Sequence, residues 1–96
     1  MKIVFSAAAL DKINDIAEFI DDINTEGAGD SWAERLFQFI AEYANLPNIT
    51  WALCNHPQLA ERGYSCTTYN RVWVIVFKVE DNTFKVYDLV NGALLY

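Results

Sequence analysis

The pattern of apolar and polar residues divides the chain into a helical first half and a strand-rich second half. Residues 2–5 form a short apolar run that predicts a strand, and Ser6 follows in the position of a helix cap. From residue 7 to residue 23, apolar positions recur at spacings of three and four, and acidic residues fall largely on the other side. This spacing predicts an amphipathic helix over 7–23.

A second helix is predicted after the sequence NTEGAGD, residues 24–30, which is rich in helix-poor residues and favours a loop. Ser31 and Glu34 have the spacing of a capping box, in which each side chain satisfies an exposed backbone donor of the other residue. We therefore expect the helix to begin at Ser31 and to end at residues 45–47. Two helices joined by a short loop are expected to pack as an antiparallel hairpin.

The apolar period changes to two in the last third of the chain, which predicts strands. The sequence EDN, residues 80–82, separates the last two of them and favours a tight turn. The predicted strands span residues 64–69, 71–79 and 83–90.

Pairing Val79 with Phe84 puts Ile75 opposite Asp88 and sorts the side chains of the last two strands onto two faces. The first face carries the larger rings and is expected to pack on the helices. Its residues are Trp73, Ile75, Phe77, Val79, Phe84 and Val86. The second face mixes apolar and cationic residues and is expected to lack a cover, because only two helices are available. Its residues are Val74, Val76, Lys78, Lys85, Tyr87 and Leu89.

This order of elements predicts the α+β class, with an N-terminal strand, a two-helix hairpin and an antiparallel β-meander whose helices pack on one sheet face. The length of 96 residues is that of a single domain, 1–96. An open, partly apolar sheet face is typical of an interaction surface. We therefore predict that the second face binds a partner, together with Leu94 and Tyr96. Asn91 and Gly92 suit a two-residue turn, after which residues 93–96 would fold back as a strand or lie in the groove.

Charge narrows the classes of partner. The chain has 13 acidic and 7 basic residues, for a net charge of −6. Because this charge repels phosphate at long range, direct non-specific nucleic-acid binding is not expected.

No stretch approaches the ~20 apolar residues of a membrane span. The apolar run after Lys2 resembles a signal peptide, but acidic residues follow it at helical spacing, so we interpret it as part of the fold. A cytoplasmic protein without a membrane partner is predicted.

The two cysteines are interpreted as buried free thiols, with a disulfide as the alternative. Cys54, His56 and Cys66 lack the paired spacings of a zinc site. No metal or cofactor is therefore predicted.

Taken together, these patterns resemble the RelE/ParE family of type II toxins over essentially the whole chain. The resemblance rests on the element order, on the opening sequence KIVFSAAALDKINDIAEFI, on Leu46-Pro47 after the second helix, and on the hairpin VIVFKVEDNTFKVYDLVNG. It implies a small toxin held inactive by an antitoxin that covers its sheet and helical groove. Such toxins inhibit growth and stabilise plasmids; RelE-like members cut messenger RNA on the ribosome, and ParE-like members poison DNA gyrase.

The sequence departs from this family where RNA cleavage would need positive charge. Cleavage requires cations at the phosphate and groups that move protons. The family's basic segment after the last strand falls on residues 91–94, where only Gly92 matches. Its arginine at the start of the second strand of the sheet falls near Tyr64 or Ser65. Arg62 and Arg71 are the remaining candidate catalytic residues, and an efficient nuclease is not expected.

The leading hypothesis is a divergent RelE/ParE-type protein that acts by protein–protein contact, with an antitoxin as partner and DNA gyrase as target, because gyrase poisoning requires no nuclease centre. One alternative is a ribosome-dependent mRNA endoribonuclease that uses Arg62, Arg71, Lys78 and a tyrosine. The other is a non-toxic relative that serves as a binding or dimerisation module. The only histidine, His56, has no assignable partner and is interpreted as packing in a loop.

Overall fold

The computed structural model describes residues 1–47 and 51–95 and contains four helices and four strands in that part of the chain. The helices are α1 (Ala7–Ile23), α2 (Ala28–Ala44), α3 (Pro57–Glu61) and α4 (Gly92–Leu95). The strands are β1 (Lys2–Phe5), β2 (Ser65–Tyr69), β3 (Trp73–Glu80) and β4 (Thr83–Asn91). Within these described ranges no helix has both the length and the apolar character needed to cross a bilayer.

The strands form one sheet in the order β1-β4-β3-β2. Strands β2, β3 and β4 follow one another as an antiparallel meander, and β1 pairs in parallel with β4. The predicted α+β class, with an N-terminal strand, two helices and a meander, is therefore confirmed.

Helix α1 has the predicted bounds because its first turn is capped as expected. The Oγ atom of Ser6 accepts a hydrogen bond from the amide of Ala9 at 3.0 Å, and its hydroxyl donates to the carbonyl of Tyr87 at 2.7 Å. The same serine therefore ends β1, caps α1 and ties both to β4. The buried residues of α1 are Ala9, Ile13 and Ile16.

Helix α2 begins three residues before the predicted start, and the capping-box prediction is wrong. Gly27, with a φ of 90°, precedes the helix, and the amide of Ser31 already donates to the carbonyl of Gly27 at 3.1 Å. Ser31 lies inside the helix and is not its cap. Gly29 lies so close to α1 that a Cβ atom there would overlap the carbonyl oxygen of Ala17. Close packing of the two helices therefore places the helix start at Ala28.

The core lies between the helices and the face of the sheet that carries the large rings, as predicted. The rings of Phe77 and Phe84 stack with centroids 4.3 Å apart. Tyr43 of α2 meets both rings edge-on, and Trp32 of α2 meets Trp73 at 6.2 Å. These aromatic contacts fasten α2 to the sheet.

A β-bulge in β4 changes the predicted faces. Phe77 pairs with Val86, but the next pair is Val76 with Asp88, so Tyr87 is an extra residue in β4. Because the side-chain period of a strand is two, one inserted residue reverses the faces that follow. Leu89 therefore pairs with Ile75 and is 1% exposed in the core. The predictions that Leu89 lies on the open face and that Ile75 faces Asp88 are wrong.

The prediction of free thiols is also wrong, because Cys54 and Cys66 form a disulfide. Leu53 makes an antiparallel bridge with Ser65, and the amide of Cys54 donates to the carbonyl of Tyr64 at 3.0 Å. These bonds hold the segment before α3 beside β2, with the two Cα atoms 4.8 Å apart. Both sulfur atoms are used in the bond and are not free to ligate a metal.

After β4 the chain enters a helical turn. The amide of Gly92 donates to the carbonyl of Val72 at 2.8 Å, and that of Ala93 donates to Oδ1 of Asn91 at 2.9 Å. The predicted fold-back of residues 93–96 as a strand is wrong for the described residues, which form α4. Tyr96 lies outside the described residues.

Candidate functional site

We call the face of the sheet opposite α1 and α2 the outer face. At its centre lie Val74 and Val76, which pair with Thr68 and Cys66 of β2. Both valines are 2% exposed, so the chain itself covers them. The prediction of an open face is therefore wrong at its centre.

Two short pieces of chain account for this cover. Gly92, at the start of α4, lies against Val74, since a Cβ atom at Gly92 would be 3.5 Å from Cγ2 of Val74. The disulfide holds the segment that leads to α3 beside β2, and Leu59 of α3 lines a cleft together with Val76. Helices α3 and α4 thus partly cover the outer face.

The predicted partner-binding residues are divided by this arrangement. Val74, Val76 and Leu89 are buried within the chain and do not reach its surface. Lys78, Lys85 and Tyr87 are half-buried on the outer face, and Leu94 is 85% exposed on α4. Partner binding by these four residues stays a prediction.

Two lysines and two tyrosines form a cluster at the α3 end of the outer face. Lys78 Nζ lies 4.6 Å from the ring centroid of Tyr64, and Lys85 Nζ lies 4.8 Å from that of Tyr87. The two rings meet edge-on at 5.1 Å. Each ammonium group therefore rests on an aromatic face, which attracts cations.

A shallow cleft of about 260 Å³ borders this cluster, and it is not purely basic. Glu80 and Asp81 line it together with Lys78 and Lys85. Carboxylates beside the ammonium groups lower the positive potential that a phosphate would meet.

A second cleft of about 430 Å³ lies between α3 and the sheet. It brings His56 and Arg62 together with Tyr64, Tyr87 and Asp88. The Nδ1 atom of His56 is buried and has no hydrogen-bond partner within residues 1–47 and 51–95. Imidazole, guanidinium and phenol groups in one cleft have the chemistry to bind an anion and to exchange protons. Sequence reasoning missed this grouping; the signal was the cysteine pair on either side of His56 and Arg62.

Arg71 is not part of either cleft. It lies in the turn between β2 and β3, with a φ of 63°, and lines a separate cleft with Val72 and Gly92. Lys78 is five residues along β3 from Trp73, or about 16 Å at the usual rise of a strand. Arg71 precedes Trp73 in the chain and so lies still further from Lys78. Arg62 lines the cleft beside α3 and Arg71 lines a different one, so the structure separates the two predicted catalytic candidates.

A third feature lies on the helical side, where α1 meets the end of the sheet. A groove of about 470 Å³ is lined by Asp15, Ile16, Phe19, Ile20, Trp73 and Asn91. Phe19 is 61% exposed, and Ile23, one turn further along α1, is 62% exposed. Among the residues that the structure describes, β1 pairs with Thr83 to Val86, and no strand lies beside the rest of β4 on the edge away from β3. None of these six lining residues was among the predicted partner-binding residues.

A solved structure of the chromosomal ParDE toxin–antitoxin system from P. aeruginosa contains a chain of similar architecture. The likeness has a TM-score of 0.75, covers 95% of both chains, and is accompanied by 11% sequence identity. The protein has a RelE/ParE-like fold. No protein-family model matches its sequence, and no curated protein does. The likeness is therefore one of fold, at a sequence identity of 11%.

Proposed function

We propose that this protein is the toxin component of a toxin–antitoxin module and acts by protein–protein contact. The proposed target is DNA gyrase, the proposed partner is a cognate antitoxin, and the proposed location is the cytoplasm. The observation that carries the proposal is the fold shared with a ParDE chain over 95% of both proteins.

The charge distribution supports contact over RNA cleavage. Stabilising a phosphate in a transition state requires preorganised positive charge. Here the two lysines of the outer face lie on tyrosine rings, beside the carboxylates of Glu80 and Asp81. Arg71 lies in a distant turn, and the whole chain carries a net charge of −6. A surface that acts by protein–protein contact does not require preorganised positive charge.

The test is inducible expression in a bacterium that lacks the neighbouring gene. We expect growth arrest with intact messenger RNA and induced DNA damage, and we expect restored growth when a small adjacent reading frame is co-expressed. Purified protein should inhibit supercoiling by purified gyrase. Normal growth on expression of folded protein would remove the toxin proposal, and arrest without gyrase inhibition would remove gyrase as the target.

A second candidate, ribosome-dependent cleavage of messenger RNA, is favoured by the cleft that holds His56, Arg62 and Tyr64. It predicts cleavage on programmed ribosomes that falls by about 100-fold or more in Arg62→Ala, because a cation at the phosphate is lost. Arg71→Ala is the matched control and should retain activity, since Arg71 lies outside this cleft. Intact message in the assay excludes this candidate.

A further inference from the structure

We propose that the disulfide between Cys54 and Cys66 is a redox switch that controls access to the cleft between α3 and the sheet. We call this cleft the α3 cleft; its lining includes Leu59, Arg62 and Val76. When the bond is present, it holds α3 over the outer face. When a dithiol reduces the bond, α3 moves away and the cleft opens. The inference uses only the proposed location, since cytosolic disulfides are usually transient.

The first argument is that residues 54–66, which we call the α3 loop, are hydrogen-bonded to one another. The amide of Tyr64 donates to the carbonyl of Leu59, and the amide of Cys54 donates to the carbonyl of Tyr64, both at 3.0 Å. In the part of the chain that the structure describes, the hydrogen bonds of residues 55–63 all end within the α3 loop, and the one ion pair lies elsewhere. Residues 55–63 therefore rest on the sheet without polar bonds to it.

The second argument is that α3 contains no buried residue. Leu59 is half-buried and lines the α3 cleft together with Val76. Segments with few buried apolar contacts open more easily than the rest of a fold. The α3 loop is therefore anchored at its base, by the disulfide and by the adjoining bridge between Leu53 and Ser65.

The third argument is the position of the bond relative to the surface that the α3 loop covers. Cys66 pairs with Val76, so the two side chains lie side by side on the outer face. Val76 lines the α3 cleft and is nevertheless 2% exposed. Breaking the bond to Cys54 therefore releases the α3 loop beside the valine that it covers.

A thiol from solution reaches the bond at Cys66, which is half-buried, whereas Cys54 is 5% exposed. A thiolate of the dithiol attacks Sγ of Cys66, the bond between the two sulfur atoms breaks, and Sγ of Cys54 leaves with the electron pair and takes a proton. The second thiolate of the dithiol then displaces Sγ of Cys66, which also takes a proton. The protein gains two thiols, and the dithiol is oxidised to its own disulfide.

A permanent structural bond is the competing interpretation. Structural disulfides resist reduction by glutathione, whereas exposed ones are labile and regulatory. The core rings of Phe77 and Phe84 lie on the side of the sheet that faces α1 and α2, away from this bond. We therefore expect reduction to open the α3 loop and to leave the core folded.

The experiment follows the methyl groups of two valines by NMR in the purified full chain, with a soluble nitroxide as the accessibility probe. Val76 lies under the α3 loop, whereas Val74 lies against Gly92 of α4 and is the matched control. On reduction with dithiothreitol, nitroxide broadening of Val76 should rise and that of Val74 should stay the same. Amide exchange of Ala60 and Tyr64 should become about tenfold faster or more, and that of α1 should not change.

Two further measurements separate a switch from a structural bond. A glutathione buffer poised as in the cytosol should reduce the folded chain, as counted by alkylation of its two thiols. The double variant Cys54→Ser, Cys66→Ser should show the accessible Val76 with and without dithiothreitol. Circular dichroism of the reduced native chain, which carries no substitution, checks that the fold is retained.

A bond that survives the glutathione buffer would overturn the proposal, as would equal broadening of Val76 and Val74 on reduction. A Val76 that stays protected in the reduced, folded chain would overturn it too. Growth arrest by a protein whose bond resists glutathione would remove this inference and leave the proposed function. A bond that is reduced with opening of the α3 cleft, in a protein that does not arrest growth, would support the switch and remove the proposed function.

Discussion

Oδ1 of Asp21 in the last turn of α1 accepts a hydrogen bond from the backbone amide of Gly29 in the first turn of α2, at 2.7 Å. Gly27, which precedes α2, has no side chain to cap the helix. Asp21 therefore satisfies one of the exposed amides of α2 from a neighbouring helix, and its negative charge lies at the positive end of the helix dipole.

Replacing Asp21 with alanine should lower the free energy of unfolding by about 1 kcal/mol, the usual effect of losing a helix cap. Asp21→Asn keeps an acceptor oxygen and should recover most of this loss. Asp22→Ala is the matched control, because Asp22 is exposed and makes no such bond among the described residues. Urea unfolding measures all three; an Asp21→Ala protein as stable as Asp22→Ala would contradict the assignment.

Gly29→Ala should destabilise the protein although alanine is the better helix former. The added Cβ atom would overlap the carbonyl oxygen of Ala17, and the helices would have to separate. We expect a net loss of about 1–3 kcal/mol, as for other overpacked sites. Gly27→Ala is the comparison, since a Cβ atom at Gly27 meets nothing within 4 Å and acts only through its positive φ. A gain in stability for Gly29→Ala would show that the helices are not in close contact.

Removing the disulfide should destabilise the domain and loosen α3. The bond closes a loop with a sequence separation of 12, for which chain entropy predicts a loss of about 3 kcal/mol. The double variant Cys54→Ser, Cys66→Ser should unfold at lower urea concentration and be cut by protease within residues 54–66. Reducing agent should lower the stability of the native chain and leave that of the double variant unchanged. Equal responses of the two proteins would argue against the bond in solution.

The bulge in β4 predicts that Leu89 stabilises the core, and the exposed Leu94 of α4 serves as the comparison. Leu89→Ala should cost about 2–5 kcal/mol, because Leu89 is 1% exposed in the core. Leu94→Ala should change stability by less than about 0.5 kcal/mol, because Leu94 is 85% exposed. Thermal unfolding distinguishes the two, and a small effect at Leu89 would mean that the register shift is absent.

The long periodic elements were predictable because many residues contribute to each pattern. Helix α1 has the predicted bounds, with its cap at Ser6. The turn between β3 and β4 was also predictable: Asp81 and Asn82 both have positive φ, which aspartate and asparagine tolerate better than most residues.

Features that depend on one distant contact were not predictable. The bulge at Tyr87 adds a residue without breaking the apolar alternation that predicts a strand, and it reverses the face of Leu89. The start of α2 depends on Asp21 and Ala17 of another helix, so local capping signals at Ser31 pointed to the wrong residue.

The candidate sites were predicted least well, because they depend on how short segments lie across the sheet. Sequence reasoning named Arg62 and Arg71 together, whereas the fold places them in different clefts. It also assigned His56 to a loop without neighbours. The exposure of Phe19 was hidden because a phenylalanine at the margin of an apolar stripe has the spacing of a core residue.

The bond between Ser6 and Tyr87 joins positions 81 apart, and β1 lies directly beside β4. During synthesis, β1, α1 and α2 therefore emerge from the ribosome well before β3 and β4, on which they pack. Until then the apolar stripes of both helices have no sheet to cover them, and a nascent chain in this state is prone to misassociation. That interval gives a chaperone, or a freshly translated partner, its earliest access to the two helices.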